Sequence, residues 1–345
     1  MNEQKVTVSR QTLLRLVGAI GNFLKSSVAG KARLLLIALF VLMLGINGMN
    51  VANSYVGRYF MSAIENRNSV DFMRFAWLYL AVFTASTLTG VLFRFTEERL
   101  GLLWREWLTR RITGVYIERR LYLRLGSEEA LSNPDQRITE DIRQLTTTTL
   151  SFVLMIINGT LTVVSFSGVL WMISPRLFII AVLYALVGSG LAIWLGRPLI
   201  GLNYRQADFE ANFRTELIHT REEGEKIATS GAESAVREKL NSHIDDLVSN
   251  LRRIIAVNRN LSFFTSGYGY LIQLIPVLIV APLFIQGKIE FGVIGQSAMA
   301  FATLLGAFSL IITQFQAISS YASVIARLGE FVEHAERCEK ERQAI

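Results

Sequence analysis

The sequence has one cysteine, Cys338, and three histidines, His219, His243 and His334. A single thiol excludes an intrachain disulfide framework and a thiolate metal site. The histidines lie far apart on polar segments, whereas zinc needs several converging ligands, so they read as solvated surface residues. A phosphate-binding loop is missing as well. That chemistry needs G-x-x-x-x-G-K-[ST], because backbone amides and the lysine hold the phosphates. The two Gly-Lys pairs, Gly30-Lys31 and Gly287-Lys288, are followed by Ala32 and Ile289 and lack the glycine-rich context. Roughly 19 residues follow the last apolar run, so the expectation is no ATPase domain within this chain, with a separate ATPase subunit, a chain that is a fragment, or no use of ATP as the alternatives. The expectation is a chain that binds no cofactor and hydrolyses no ATP itself. No spacing suggests a nucleophile with its base, which sets an enzyme aside.

Charge is the other absence. Six windows carry no Asp, Glu, Lys, Arg or His: Leu34–Gly57, Phe75–Phe93, Gln144–Pro175, Leu177–Gly196, Asn260–Gly287 and Phe291–Ala326. About 20 apolar residues carry a helix across the hydrocarbon core. Backbone polar groups must be satisfied there, which selects helices over open strands. The fold class expected is therefore an all-α membrane protein with six transmembrane helices. The first window is no signal peptide, since it follows about thirty residues of amphipathic sequence and is too long for an h-region.

Cations outside the windows set the orientation. With alternating sides, one side carries thirty Lys and Arg and the other five: Arg58, Arg67, Arg74, Arg176 and Lys288. The excess places both termini in the cytoplasm. It also accounts for the formal net charge of +7. The long loops mix both signs, so nothing resembles the localised basic patch of a nucleic-acid binder.

The two cytoplasmic connections are long and helical. From Phe93 to Gly126, apolar residues recur at three and four (Leu100, Leu103, Trp107, Ile112, Val115), an amphipathic helix reaching roughly 45 Å beyond the membrane. Gly126-Ser127 ends it, and Leu125–Ser132 forms the tip. Asn133 is a good N-cap, Pro134 suits the first helical position, Asp135 favours the positive helix end, and Gln136 pairs with Asn133 in a capping-box manner. A returning helix is expected from Asn133 into the third span. The second connection repeats the design, running out from Pro198 to a tip at Ser230-Gly231 and back. Stalks of this length serve a bundle little unless their tips touch a partner that drives movement.

These features resemble a known family. Six spans with two long cytoplasmic hairpins look like the membrane domain of exporter-fold ABC transporters. "NPDQRITED" (Asn133–Asp141) and "FRTELIHTREEGEKIATSGAE" (Phe213–Glu233) are similar to motifs of the subgroup containing the peroxisomal subfamily D transporters and their bacterial relatives. "NVANSYVGRYFMSAIENRN", "GQSAMAFATLLGAFSLI" and "IARLGEF" add to the likeness. SbmA/BacA-type proton-driven peptide importers share the architecture. The resemblance implies a transmembrane domain over 31–332, preceded by an amphipathic segment 1–30 and followed by a tail 333–345. It also implies a homodimer in the bacterial inner membrane, with hairpin tips docking on a separate ATP-binding subunit that holds ATP. The coupling residues would be Asn133, Pro134, Asp135, Gln136 and Arg137 at the first hairpin, and Glu222, Glu225, Gly231 and Glu233 at the second.

A proton-driven carrier needs carboxylates near its pathway. The spans hold none, so the candidates lie at their cytoplasmic ends: Glu97, Glu98, Glu140, Asp141, Glu210, Glu216 and Glu222. The bland alternative is a set of salt-bridged helix faces, such as Glu222 with Lys226 at i,i+4. Neutral polar residues form stripes within the spans. Asn47, Asn50 and Ser54 share a face of the first, Ser151, Asn158, Thr162 and Ser165 a face of the third, and Gln296 and Thr303 a face of the sixth, with Gln314 further on. They suit either hydrogen bonding between packed spans or a hydrated path for hydrophilic solutes such as peptides or vitamins. The function expected is a permease energised by a separate ATPase. The alternatives are the proton-driven importer and a membrane scaffold that transports nothing.

Overall fold

The computed structural model describes residues 10–118 and 137–313. Among them every extended element is a helix. In chain order these are α1 (Arg10–Leu24), α2 (Ala29–Glu65), α3 (Ser69–Glu118), α4 (Ile142–Ile173), α5 (Pro175–Glu222), α6 (Gly224–Ser230), α7 (Glu233–Ile285) and α8 (Gly292–Thr313). A π-helical turn, Arg137–Asp141, leads into α4. Six helices are long and apolar enough to cross a membrane: α2, α3, α4 with its preceding turn, α5, α7 and α8. The all-α fold with six spans is thus the observed one. Asn133–Gln136 and the tip Leu125–Ser132 lie outside the described residues, as do Gln314 and the "IARLGEF" segment.

The chain divides into two units: Met1–Phe178 with Ile279–Ile345, and Ile179–Leu278. In the first unit, α2 and α3 form an antiparallel pair. The first two charge-free windows are separated by residues 58–74, but both helices extend far beyond the windows and only residues 66–68 join them. Arg67 makes the turn with φ 52°. Asn68 Oδ1 accepts hydrogen bonds from the amides of Val70 and Asp71 at 3.1 and 3.2 Å, capping α3. Such a cap satisfies donors that the first helical turn cannot pair, so only three residues separate α3 from the end of α2.

The core of this unit lies where α1, α2, α3 and α4 meet. Phe23, Ala32, Leu39, Met43, Leu100, Trp104, Leu150 and Leu154 are buried together. Phe23 stacks on Trp104 with ring centroids 5.3 Å apart, and this contact anchors α1. Beside this apolar core, the outward surface is apolar as well, and several polar side chains are buried. Leu34, Ile37, Trp77, Leu88, Val91 and Val164 are exposed, while Asn47, Ser54, Thr146, Thr149, Gln296 and Ser297 are buried. Lipid solvates the apolar surface, so there is no hydrophobic reason to bury it, and polar groups turn inward. Thr146 and Thr149 satisfy their hydroxyls on the carbonyls of Ile142 and Leu145, at 2.9 and 2.6 Å within their own helix.

At the end of the unit away from the α1 core, α8 begins against α2. A Cβ on Gly292 would lie 1.8 Å from the Arg58 carbonyl oxygen, so only glycine permits this approach. The Gly292 amide donates to Ser62 Oγ at 3.1 Å. Arg58 Nε contacts Glu290 Oε2 at 3.3 Å.

The second unit is an antiparallel hairpin of α5 and α7 with α6 at its tip. Tyr184 and Tyr268 stack at 4.2 Å. Each phenol donates to the other's backbone carbonyl, Tyr184 at 2.8 Å and Tyr268 at 3.1 Å. Gly188 leaves room for the Tyr268 ring, which a Cβ would meet at 2.1 Å. Further along, Asn250 Nδ2 donates to Gln206 Oε1 and to the Leu202 carbonyl, both at 2.9 Å. Lys239 then pairs with Glu216 at 2.8 Å.

Candidate functional site

The polar stripes of α2 and α4 interlock. Asn47 is 3% exposed. Its Nδ2 donates to the Met43 carbonyl at 3.1 Å and to Asn158 Oδ1 at 3.0 Å. Its Oδ1 accepts from Thr162 Oγ1 at 3.0 Å. Three of the side chains suggested by the sequence are therefore brought together as one interhelical hydrogen-bonded cluster, and Asn47 uses both its donor and its acceptor. Asn50 and Ser165 are half-buried on the same stripes, whereas Ser151 is exposed. Ser54 is buried with its hydroxyl unpartnered, and both amide atoms of buried Gln296 are also unpartnered. Thr303 bonds the Met299 carbonyl of its own helix at 2.8 Å.

The candidate carboxylates sit in different settings. Glu97 is half-buried on α3, one turn beyond the charge-free window, and accepts a hydrogen bond from Ser151. Burial raises its pKa above the ordinary carboxylate value and neighbouring Glu98 adds to this, against Arg94 and the Ser151 hydroxyl. Glu98 is exposed and pairs with Arg94 at 3.7 Å. Glu140 pairs with Arg143 at 2.5 Å. Asp141 is buried, 1% exposed, at the end of the π-helical turn. Glu210 accepts from Gln206 Nε2 at 3.2 Å. The Lys239 ammonium holds the Glu216 carboxyl below the usual range, chiefly through its hydrogen bond.

At the second tip, α5 ends at Glu222 and α6 begins at Gly224. The i,i+4 pair of Glu222 with Lys226 does not form, because the helix is interrupted between them. Lys226 pairs instead with Glu223 at 3.6 Å. Gly231 has φ 65° and ends α6, with its amide donating to the Ile227 carbonyl. Glu222, Glu225, Gly231 and Glu233 are all exposed. At the first hairpin only Arg137 of the suggested coupling residues falls within the described backbone, at the start of the π-helical turn.

Sequence reasoning missed the contacts among Arg58, Ser62, Glu290 and Gly292. The pair Arg58 and Ser62 is separated from the pair Glu290 and Gly292 by more than two hundred positions, and neither belongs to a periodic stripe. It also missed the reciprocal Tyr184–Tyr268 pair. The glycines at 188 and 292 are the signals that could have suggested close approach, although neither reveals its partner.

The model of one family, ABC transporter transmembrane region 2, matches residues 21–285. The chain belongs to the ABC transporter transmembrane region 2 family. Proteins similar to it include ABC transporter D family member 2, chloroplastic, of Arabidopsis thaliana, 41% identical over 301 residues, 87% of this chain and 43% of that protein. An uncharacterised ABC transporter ATP-binding protein of Synechocystis sp. is 39% identical, over 87% of this chain and 46% of its own length. The inner membrane ABC transporter ATP-binding protein YddA of Escherichia coli is 26% identical, over 86% and 56%. The chain thus spans about half the length of the curated relatives it matches. As an ABC transporter transmembrane region, it is a multi-pass membrane segment of an ABC-type transporter.

Proposed function

We propose that this chain forms the solute pathway of an ABC-type transporter in the bacterial inner membrane, with both termini in the cytoplasm. A homodimer would create the pathway, and an ATP-binding subunit or domain would drive it through the exposed tips. The solute would be hydrophilic: a peptide, a vitamin or a similar compound. The observation that carries this reading is that Ser54 and Gln296 are buried in the first unit without hydrogen-bond partners, among helices whose outward surface is apolar. A lipid-packed scaffold gains little from burying Ser54 and Gln296 without partners, since unpaired polar groups are costly in a dry interior. Water or solute satisfies them in a pathway.

The mechanism follows from the hairpins. ATP supplies energy at the partner's site, and this chain's arms transmit the resulting displacement. Gly231 gives the second tip a rigid αL corner, while Glu222, Glu225 and Glu233 present acidic contacts to a partner surface. Asn133–Gln136 would fix the start of the returning arm at the first tip. Closure at one membrane face and opening at the other would then alternate.

A second reading has one observation in its favour. Glu97 is half-buried beside Ser151, with its pKa raised by burial. In a proton-driven importer it would take a proton at the cytoplasmic end of the pathway. Gentle purification from native membranes, mass spectrometry of bound subunits and a parallel ATPase assay separate the readings. A stoichiometric ATP-binding component with solute-stimulated hydrolysis is expected. A clean dimer without ATPase activity, whose uptake follows a pH gradient and is abolished by Glu97→Gln, would favour the proton-driven carrier. A dimer without either form of transport would leave only the scaffold.

A further inference from the structure

Within the first unit, a cavity of about 500 Å³ opens at the end where α8 meets α2, lined by Tyr55, Arg58, Met172, Lys288, Glu290 and Gln296 among others. This volume falls within the range of small-molecule sites. Its polar groups are unusual for their position. Only five of the 35 Lys and Arg residues lie between the first and second, third and fourth, or fifth and sixth charge-free windows, yet two of those five, Arg58 and Lys288, line this one cavity. Arg58 is engaged by Glu290 at 3.3 Å. Ser62 Oγ also lies within 3.4 Å of that carboxylate. Lys288 is exposed and forms no ion pair among the described residues, so it is the available cation. Deeper in, Gln296 is 3% exposed. Its amide N–H and carbonyl groups both lack partners. A buried amide with two unmet hydrogen-bonding atoms, facing a cavity with a free cation at its mouth, is costly unless something fills it.

We propose that this cavity recognises a small solute bearing a carboxylate beside a neutral hydrogen-bonding group. Lys288 takes the carboxylate, and the Gln296 amide pairs with the neutral group through its donor and acceptor. Arg58 and Glu290 hold the rim in place and neutralise each other, leaving one net positive charge to select an anion. The end of a short peptide has this chemistry, with a carboxylate next to an amide. The proposal rests on the transport reading for its purpose, but its binding chemistry stands apart from ATP and from movement.

The test is saturation-transfer NMR on the full chain in nanodiscs without nucleotide. The probes are N-acetylglycylglycine and its C-terminal amide. The free carboxylate is expected to bind and the amide to bind about tenfold more weakly, the consequence of losing one charge-assisted hydrogen bond. Lys288→Gln should remove this preference and Lys288→Arg restore it, which separates charge recognition from misfolding. Gln296→Leu should weaken both probes, while Arg176→Gln leaves both unchanged. Equal binding of the two probes, or a preference that survives Lys288→Gln, overturns the proposal. Either result leaves the ATPase and uptake assays of the transport reading to be judged separately.

Discussion

Gly292 and Asn47 show how single side chains hold this protein together. Gly292→Ala places a methyl group against the Arg58 carbonyl, an atom that cannot move without displacing α2. The start of α8 must shift and lose its Ser62 contact, a cost of about 1–3 kcal/mol. A lower thermal unfolding midpoint in detergent is expected, and an unchanged midpoint would show that the approach is looser than described. Asn47→Leu removes both sides of a buried network and strands Asn158 and Thr162. Hydrogen bonds between membrane helices contribute about 0.6–2 kcal/mol, so stability should fall modestly. Transport should fall more if the polar face also serves the solute, and uptake equal to wild type would argue against that role. The sequence showed the stripe spacing of Asn47, Asn158 and Thr162 clearly. It could not show that the stripes face one another, because register between helices 111 residues apart depends on packing.

The hairpin of α5 and α7 is tied at three levels: the tyrosine pair, Gln206 with Asn250, and Glu216 with Lys239. The outermost tie responds to pH. The Glu216 pKa is lowered in the folded chain, so its contribution is present above the ordinary carboxylate value and is lost as pH falls through the folded pKa. The arm should weaken at acid pH, and Glu216→Gln should flatten that part of the dependence. Amide hydrogen exchange along 205–250, measured against pH in both proteins, checks this; identical profiles would reject it. Helical periodicity made the two arms and the glycine at their tip legible beforehand. The break at Glu223 was marked only by Gly224, a glycine that a helix tolerates at a cost of about 1 kcal/mol, so the spacing of Glu222 and Lys226 still reads as one helical face.

Across the whole molecule, the proposed orientation can be tested from two positions. In a Cys338→Ser background, Asn66→Cys should react with an impermeant maleimide only from outside the cell. Ser230→Cys should react only in inverted vesicles. Labelling of both from the same face would reject the topology. Six charge-free runs were sufficient to specify six helices, because hydrocarbon excludes charge and forces backbone groups to pair within each segment. Cation asymmetry likewise sets the expected orientation, and a single cysteine excludes a disulfide within the chain. These properties are local or summed along the chain; of them the six helices are the observed fold, which the sequence by itself determined, and the orientation is the expectation the labelling tests. Tertiary structure alone decided that Asn47 is spent on neighbouring helices, that Gln296 faces a cavity unpartnered, and that Arg58 meets Glu290. Each of those outcomes depends on how far helices slide and rotate against one another, a balance of many small contacts spread over residues distant in sequence.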